Sequence, residues 1–331
     1  MKRCFIALAV ALAIRPTSAQ APVSMNWYKG NLHTHTINSD GDSVPHEVVA
    51  WYKRHGYHFL SITDHNTFTD PATLDTNGSD EFLLIGGVEV TNDRAVHVNG
   101  IGVTRGIGAQ RGASITELLQ ASVDAIRAQS ALALVNHPNL RWAVTAKEML
   151  PVRGAILLEI SSGITGSNHY GDGRTPSTEE MWDELLSSGV RIFAVAVDDA
   201  HTFRGEFGLD EASPGRCWIV VRAPSLTREG VLQALNSGDF YASSGVELTN
   251  VFATAGSLTV QMQPSIIGPR AANETRYRVV FIGKQGRVLA ISNDNPAVYK
   301  FSGTEGYVRA RVEDSRGRRA WTQPVFFPAT Q

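Results

Sequence analysis

The sequence predicts an α/β protein, with a barrel on parallel strands over residues 22–245 followed by a small antiparallel β-sandwich-like module over 246–331. Three observations predict this. Between residue 28 and about 240, short apolar runs alternate with amphipathic stretches, as strands joined by crossover helices do. Beyond 247 the hydrophobic period shortens to two, as in Tyr277-Arg278-Val279-Val280-Phe281-Ile282. Finally, a chain of 331 residues that is 43% hydrophobic and 19% charged can bury a large core, and its length suits about two domains.

Residues 1–21 precede the barrel. Lys2 and Arg3 form a basic start, Cys4 to Ile14 an apolar stretch, and Ala19-Gln20-Ala21 a small-x-small cleavage site. This pattern predicts a cleaved secretory signal and a secreted or periplasmic protein. The apolar stretch is too short to span a bilayer, and no later run reaches about 18 apolar residues, so no membrane span is expected in the mature chain.

Within the barrel region the expected strands are 28–34, 58–63, 83–90, 95–103, 131–136, 154–160 and 191–197. Amphipathic helices are expected over Val44–His55, Ser114–Gln129, Thr178–Ser188 and Thr227–Ser237. Ser114 and Glu117 have capping-box spacing, and Gly189 supplies a stop. About seven strands in about 210 residues suit a barrel. In the C-terminal module, Lys284-Gln285-Gly286 and Asp314-Ser315-Arg316-Gly317 mark turns between strands. No linker is long enough to free this module, so it is expected to pack on the barrel.

Composition excludes several functions. Lys and Arg total 30 against 32 for Asp and Glu, so no nucleic-acid platform is evident. Two cysteines rule out a disulfide scaffold and a Cys4 zinc site. Cys217, in an apolar run, reads as a buried small hydrophobe. Neither a G-x-S-x-G elbow nor a Walker-type phosphate loop is present. Neither a covalent serine intermediate nor an organic cofactor is therefore expected.

The histidines carry the positive signal. His33 and His35 close the first strand, two residues apart and so on one face. Asp40 follows. His65 closes the second strand and Glu89 the third. His97 lies in the fourth, His137 closes the fifth, and Asp199 and His201 close the seventh. In a parallel barrel the C-terminal strand ends form one rim, where chemistry gathers. Imidazole and carboxylate without thiolate suit Zn, Mn or Fe. Nine such residues exceed the four or so of one zinc ion and suffice for two or three ions.

Together Asn31-Leu32-His33-Thr34-His35-Thr36, Ser39-Asp40-Gly41, Ile62-Thr63-Asp64-His65-Asn66, Gly87-Val88-Glu89-Val90, His97-Val98, Asn136-His137-Pro138 and Asp199-Ala200-His201 resemble the PHP (polymerase and histidinol phosphatase) superfamily over residues 29–245. The signal segment and the β-rich tail further resemble its secreted carbaryl-hydrolase-like branch. The resemblance implies a distorted (β/α)7 TIM-like barrel with a di- or trinuclear centre. It implies a first ion on His33, His35, Glu89 and Asp199. Glu89 would bridge to a second ion on His97 and His137, and Asp40, His65 and His201 would hold a third. Glu89 and Asp199 are then the central catalytic carboxylates.

The remaining polar residues are assigned around this centre. Asp64 and Asp198 adjoin ligands and are expected to support loops. Glu159, ending the sixth strand on the same rim, reads either as a structural ion-pair partner or as a contact to substrate or a ligand histidine. Arg141, Arg204 and His169 are the candidate substrate-binding residues, an arginine being suited to an anionic phosphoryl group. The function expected is a phosphoesterase acting on a small-molecule ester. A carboxyl-ester or carbamate hydrolase is the alternative, and a metal-binding or carbohydrate-surface module the non-enzymatic one.

Overall fold

The computed structural model describes residues 24–74, 81–205, 207–208, 212–264 and 276–327. The signal segment expected over 1–21 lies outside the described residues. The first seven strands are β1 (Asn26–Asn31), β2 (Phe59–Ile62), β3 (Leu83–Thr91), β4 (His97–Ile101), β5 (Leu132–Val135), β6 (Ala155–Ser162) and β7 (Phe193–Val197). They lie side by side in chain order. β2 (FLSI) and β7 (FAVAV) are buried at every position, as strands covered on both faces must be.

β1, β2 and β3 are parallel, as are β5, β6 and β7. One strand departs from the expected pattern. The reading of residues 95–103 as one more parallel strand is corrected: β4 runs antiparallel to both β3 and β5. Only the tight turn Asp93–Ala95 separates β3 from β4, too little chain for the crossover that a parallel strand needs. The C-terminal ends of β1 and β7 meet at a parallel bridge between Thr34 and Ala200. His35 N donates to Ala200 O at 2.8 Å and Asp199 N to His33 O at 3.0 Å.

Five α-helices flank these strands: α1 (Pro45–Arg54), α2 (Ile115–Arg127), α3 (Ala146–Met149), α4 (Thr178–Ser187) and α5 (Arg228–Ser237). Local sequence explains their limits. Pro45 opens α1, where a missing N–H costs nothing. Ser177 and Glu180 form a complete capping box on α4. At α2 the expected box is displaced: Ser114 Oγ accepts from Glu117 N, but the Glu117 carboxylate reaches back to Ala113 N. Gly189 ends α4 at φ +83°, a conformation that costs glycine little.

The C-terminal strands continue the sheet. β8 (Trp218–Ala223) pairs antiparallel with β1, then β9 (Phe240–Ser243) with β8. Next come β16 (Arg319–Thr322), β15 (Tyr307–Asp314), β12 (Tyr277–Gly283) and the edge strand β13 (Arg287–Ser292). β10 (Leu248–Ala253), β11 (Ser257–Met262) and β14 (Ala297–Lys300) form a separate three-stranded antiparallel sheet. The two sheets share a core that includes Leu258, Val260, Val279 and Phe281 and extends to Val48 and Tyr52 of α1. A second core lies under α2, α4 and α5.

One buried ion cluster ties α4 to β15. Arg309, 1% exposed, donates through Nε and Nη2 to Asp183 at 2.8 and 2.6 Å, and through Nη1 to Glu179 at 2.9 Å. Tyr307 Oη donates to the same Asp183 carboxylate at 2.7 Å. Removing one member of such a pair strands the other charge in the core. Asp183→Ala is expected to lower stability by about 3–5 kcal/mol in urea unfolding. A loss below about 1 kcal/mol would show that Arg309 finds water or another partner.

Candidate metal centre

The cluster assembles from strand ends. β1 ends just before His33 and His35, which lie one turn of pleat apart. After them the chain folds tightly back, with Gly41 N donating to Thr36 O at 2.9 Å. A Cβ on Gly41 would sit 2.7 Å from the His35 carbonyl carbon, so only glycine lets the Ser39-Asp40-Gly41 turn approach His35. His65 follows β2 and bridges in parallel to Glu89 within β3. His137 follows β5, and Asp199 and His201 follow β7. Asp199 turns with φ +50°, a strained value for a non-glycine residue.

Because β4 is reversed, its first residue, His97, lies level with the C-terminal ends of its neighbours. The strand that broke the expected pattern thereby still delivers its histidine.

Glu89 is the centre of the arrangement and is fully buried. Its Oε1 lies 3.4 Å from His33 Nε2, 3.1 Å from His97 Nδ1 and 3.4 Å from His137 Nε2. Its Oε2 lies 3.5 Å from His35 Nε2 and 2.8 Å from His65 Nδ1. Asp199 Oδ1 is 3.1 Å from Nε2 of both His33 and His35. Asp40, the most exposed member, lies 3.4 Å from His65 and His201 and 3.5 Å from His35.

All nine residues expected from the sequence thus meet in one cluster. Their ligand atoms converge in four overlapping groups: His35, Asp40, His65 and His201; His33, His35 and Glu89; His33, His137 and Asp199; and His65, Glu89 and His97. This grouping differs in detail from the partition that the resemblance implies. His35 stands with the Asp40 group, and His137 with His33 and Asp199.

Outer hydrogen bonds orient the rings. His33 Nδ1 meets Glu159 Oε2 at 3.2 Å, His35 Nδ1 meets Ser39 Oγ at 3.3 Å, and His201 Nδ1 meets the Asp199 carbonyl at 2.9 Å. Each contact leaves Nε2 facing the cluster, the arrangement by which outer partners fix a ligand tautomer. Asn136 Nδ2 donates to Glu89 Oε1 at 2.7 Å and to Asn99 Oδ1 at 2.9 Å. Asn136, Asn99 and Ser39 were missed as site residues. Asn136 adjoins His137 and Ser39 adjoins Asp40, but asparagine and serine are too common beside turns to signal a role.

Charge explains why the cluster needs a cation. Burial opposes protonation of His33, but Asp199 and Glu89 outweigh it and hold its pKa well above the usual range. Burial likewise opposes charge on His65, yet Asp40 and Glu89 raise it to about 10. Burial favours neutral Glu89 and Asp199, but the surrounding imidazoles push both carboxyls far down. The carboxylates therefore stay ionised and draw positive charge inward. Despite their close approaches, His33 Nε2, Glu89 Oε2 and His97 Nδ1 are buried without a well-aligned hydrogen bond among the described residues. Converging acceptors of nitrogen and oxygen, unsatisfied by protein donors, fit divalent cations.

The two neighbouring aspartates support loops. Asp64 accepts from Thr36 N, Thr36 Oγ1, Ser39 Oγ and Thr69 Oγ1 at 2.7–2.8 Å. Asp198 accepts from Tyr52 Oη and from the amides of Gly215, Arg216 and Cys217. Burial raises Asp198 to about 6 against the pull of those donors. It also pushes the Cys217 thiol up to about 12, which leaves it unreactive.

The three candidate substrate residues take different places. Arg141 is exposed on the turn Leu140–Trp142 after His137; it and Trp142 both have positive φ, +52° and +56°. Arg204 is exposed and pairs with Glu47 at 3.0 Å. His169 bonds Ser167 Oγ at 2.8 Å and packs on Tyr170, with no contact to the nine-residue cluster among the described residues.

No family model matches this chain, and no curated protein matches it. Solved structures show weak likeness. A two-domain protein from Bacteroides vulgatus, described as containing a predicted PHP-like metal-dependent phosphoesterase, is 15% identical. Its TM-score is 0.49, with 91% of this chain and 94% of that one covered. An amidohydrolase from Chromobacterium violaceum with bound sulfate and no metal is 14% identical at a TM-score of 0.39, covering 55% and 93%. A protein from Bifidobacterium adolescentis described as a metal-dependent phosphoesterase is 16% identical at 0.39, covering 55% and 91%. Likeness at this level decides nothing about chemistry, which rests on the residues above. Among the described residues no helix is long and apolar enough to cross a membrane.

Glu159 gives a test of the outer contacts. Glu159→Gln is expected to reduce metal affinity by about 10–100-fold in dialysis against Zn or Mn, as loss of an outer partner does elsewhere. Unchanged affinity would mean that the Glu159–His33 contact does not orient the ring.

Proposed function

We propose that the protein is a secreted, PHP-type metal-dependent hydrolase, a phosphoesterase acting on a small-molecule substrate at a di- or trinuclear centre. The observation that carries this reading is Glu89: one buried carboxylate with five imidazoles within 3.5 Å. A carboxylate so placed would hold divalent cations together with these histidines. We read the meeting of β1 and β7 at Thr34 and Ala200 as closure of the (β/α)7 barrel that brings these ligands together. Secretion rests on the pattern of residues 1–21 in the sequence.

His33, His35, Glu89, His137 and Asp199 would hold the buried ions, with His65 and His97 completing the second position. Asp40, with His35, His65 and His201, would hold the outermost. Zn, Mn and Fe all suit this set. When bound, the ions supply Lewis acidity: they lower the pKa of water and offset charge that develops on the reacting oxygens.

The chain's own part is positioning. Glu159 keeps the proton of His33 on Nδ1, so that Nε2 offers its lone pair inward. Ser39 orients His35 Nδ1, and the Asp199 carbonyl holds that of His201. Asp64 gathers Thr36, Ser39 and Thr69, fixing the loop that presents His35 and Asp40. Arg141, exposed and without a side-chain hydrogen bond among the described residues, is the cation we assign to an anionic substrate group. Arg204 is already engaged by Glu47. Trp142, 39% exposed beside Arg141, favours the second reading, hydrolysis of an aryl carboxyl ester or carbamate.

The test is to load the full chain with Mn, Zn or Fe and assay p-nitrophenyl phosphate, bis(p-nitrophenyl) phosphate and a naphthyl carbamate in parallel. Phosphoester turnover that disappears with the His33→Ala, His35→Ala double substitution is the expected result. Carbamate turnover alone would select the second reading. Activity that survives the double substitution would place the chemistry elsewhere. Under the phosphoesterase reading, Arg141→Ala should weaken phosphoester turnover by about tenfold, the loss of one charge-assisted hydrogen bond, and an unchanged kcat/KM would free Arg141 from this role.

A further inference from the structure

A second polar cleft, of about 820 Å³, opens between α4 and the face of β12, β15 and β16. None of the nine metal-centre residues lines it. Arg309, Arg311, Arg319 and Lys284 supply four cations to its walls, and Glu179, Glu180, Asp183 and Glu184 supply four carboxylates. The lining is therefore balanced in charge. An anionic or cationic ligand would meet as much repulsion as attraction there.

Several of these groups are open to a ligand. Arg319 has only a 4.0 Å ion pair to Glu313, and its Nε lacks a hydrogen-bond partner, as does that of Arg311. The side chains of Lys284, Gln285 and Glu184 make no hydrogen bond among the described residues. Open donors thus stand beside an open acceptor. A hydroxyl group donates once and accepts twice, so it satisfies guanidinium and carboxylate alike.

Tyr170 adds an apolar surface. It is 62% exposed at the edge of the cleft, and the Arg319 guanidinium lies 5.2 Å from its ring centre. The C–H face of a pyranose ring packs on such an aromatic while its hydroxyls reach polar neighbours. A further groove of about 430 Å³ shares Ser187 and Lys284 with the cleft and runs on to Phe326 and Phe327, which gives room for more than one sugar ring. His169, which makes no hydrogen bond to the metal-centre residues among the described residues, lines this cleft.

We propose that this cleft binds an uncharged oligosaccharide, at a site separate from the metal centre. The test is saturation-transfer NMR on the full chain with cellotetraose, maltotetraose, xylotetraose, mannotetraose and chitotetraose, with trigalacturonate as the acidic comparator. Each is titrated to about 10 mM, enough to detect a Kd of about 1 mM. The expected result is binding of at least one neutral tetrasaccharide, weakened about tenfold or more by Tyr170→Ala and by Glu184→Ala, both exposed substitutions. Binding of trigalacturonate alone would overturn the proposal in favour of an anion site. So would no binding by any neutral member, or neutral binding that both variants leave unchanged. Loss of metal-dependent hydrolysis in His33→Ala, His35→Ala has no bearing on this result, so the two readings fail separately.

Discussion

The rest of the structure depends on the burial of the Glu89 carboxylate. A charge taken wholly out of water costs several kcal/mol unless opposite charge and hydrogen bonds meet it. Here five imidazoles and the Asn136 amide meet it, drawn from four separate segments of the chain. The strands can satisfy Glu89 only if the ends of β1, β2, β5 and the start of β4 arrive at one level. The contact between β1 and β7 then adds Asp199 and His201 from the last strand. Assembly of the sheet and assembly of the site are one event.

The supports around the site follow the same logic at shorter range. Asp64 and Asp198 point away from the cluster and collect donors from loops. Asp64 organises the turn that carries Asp40; Asp198 ties the approach to β8 against the end of β7. These loops could otherwise drift by an ångström or more, which would spoil ligand convergence. Further out, Arg309 and its two carboxylates fasten the C-terminal strands to α4. That junction leaves a charge-balanced cleft whose polar groups are only partly satisfied by one another.

Much of this was legible in the sequence because strand and ligand signals coincide. The seven strands expected up to residue 197 fall within a few residues of their places, since each is an apolar run bounded by turn residues; β8 and β9, inside the region read as the barrel, were not expected. His33 with His35 and Asp199 with His201 announce themselves by their spacing. Glu159 was legible as a rim carboxylate, but only the structure decides among its possible partners in favour of His33. The reversed direction of β4 was not legible, because an antiparallel and a parallel strand carry the same apolar run. The difference lies in how much chain precedes it, and Asp93–Ala95 is short enough to force the reversal. Asn99 and Asn136 were invisible for another reason: their roles exist only once residues 37 and 47 positions away are beside them. Ser39 reaches His35 only four residues away, but a serine in a turn carries no signal of its own.

By itself, the sequence determined which residues could ligate a cation and the order of strands and helices up to β7, though not β8 or β9, where the C-terminal antiparallel pairing begins at Trp218. These are local properties, set by side-chain chemistry and hydrophobic period. Tertiary structure decided which ligands share an ion-sized space, which ring nitrogen faces inward, and where Arg204 and His169 are held. Those outcomes depend on distances between segments far apart in the chain. Only the packing of the strands side by side, with the need to neutralise Glu89, sets such distances.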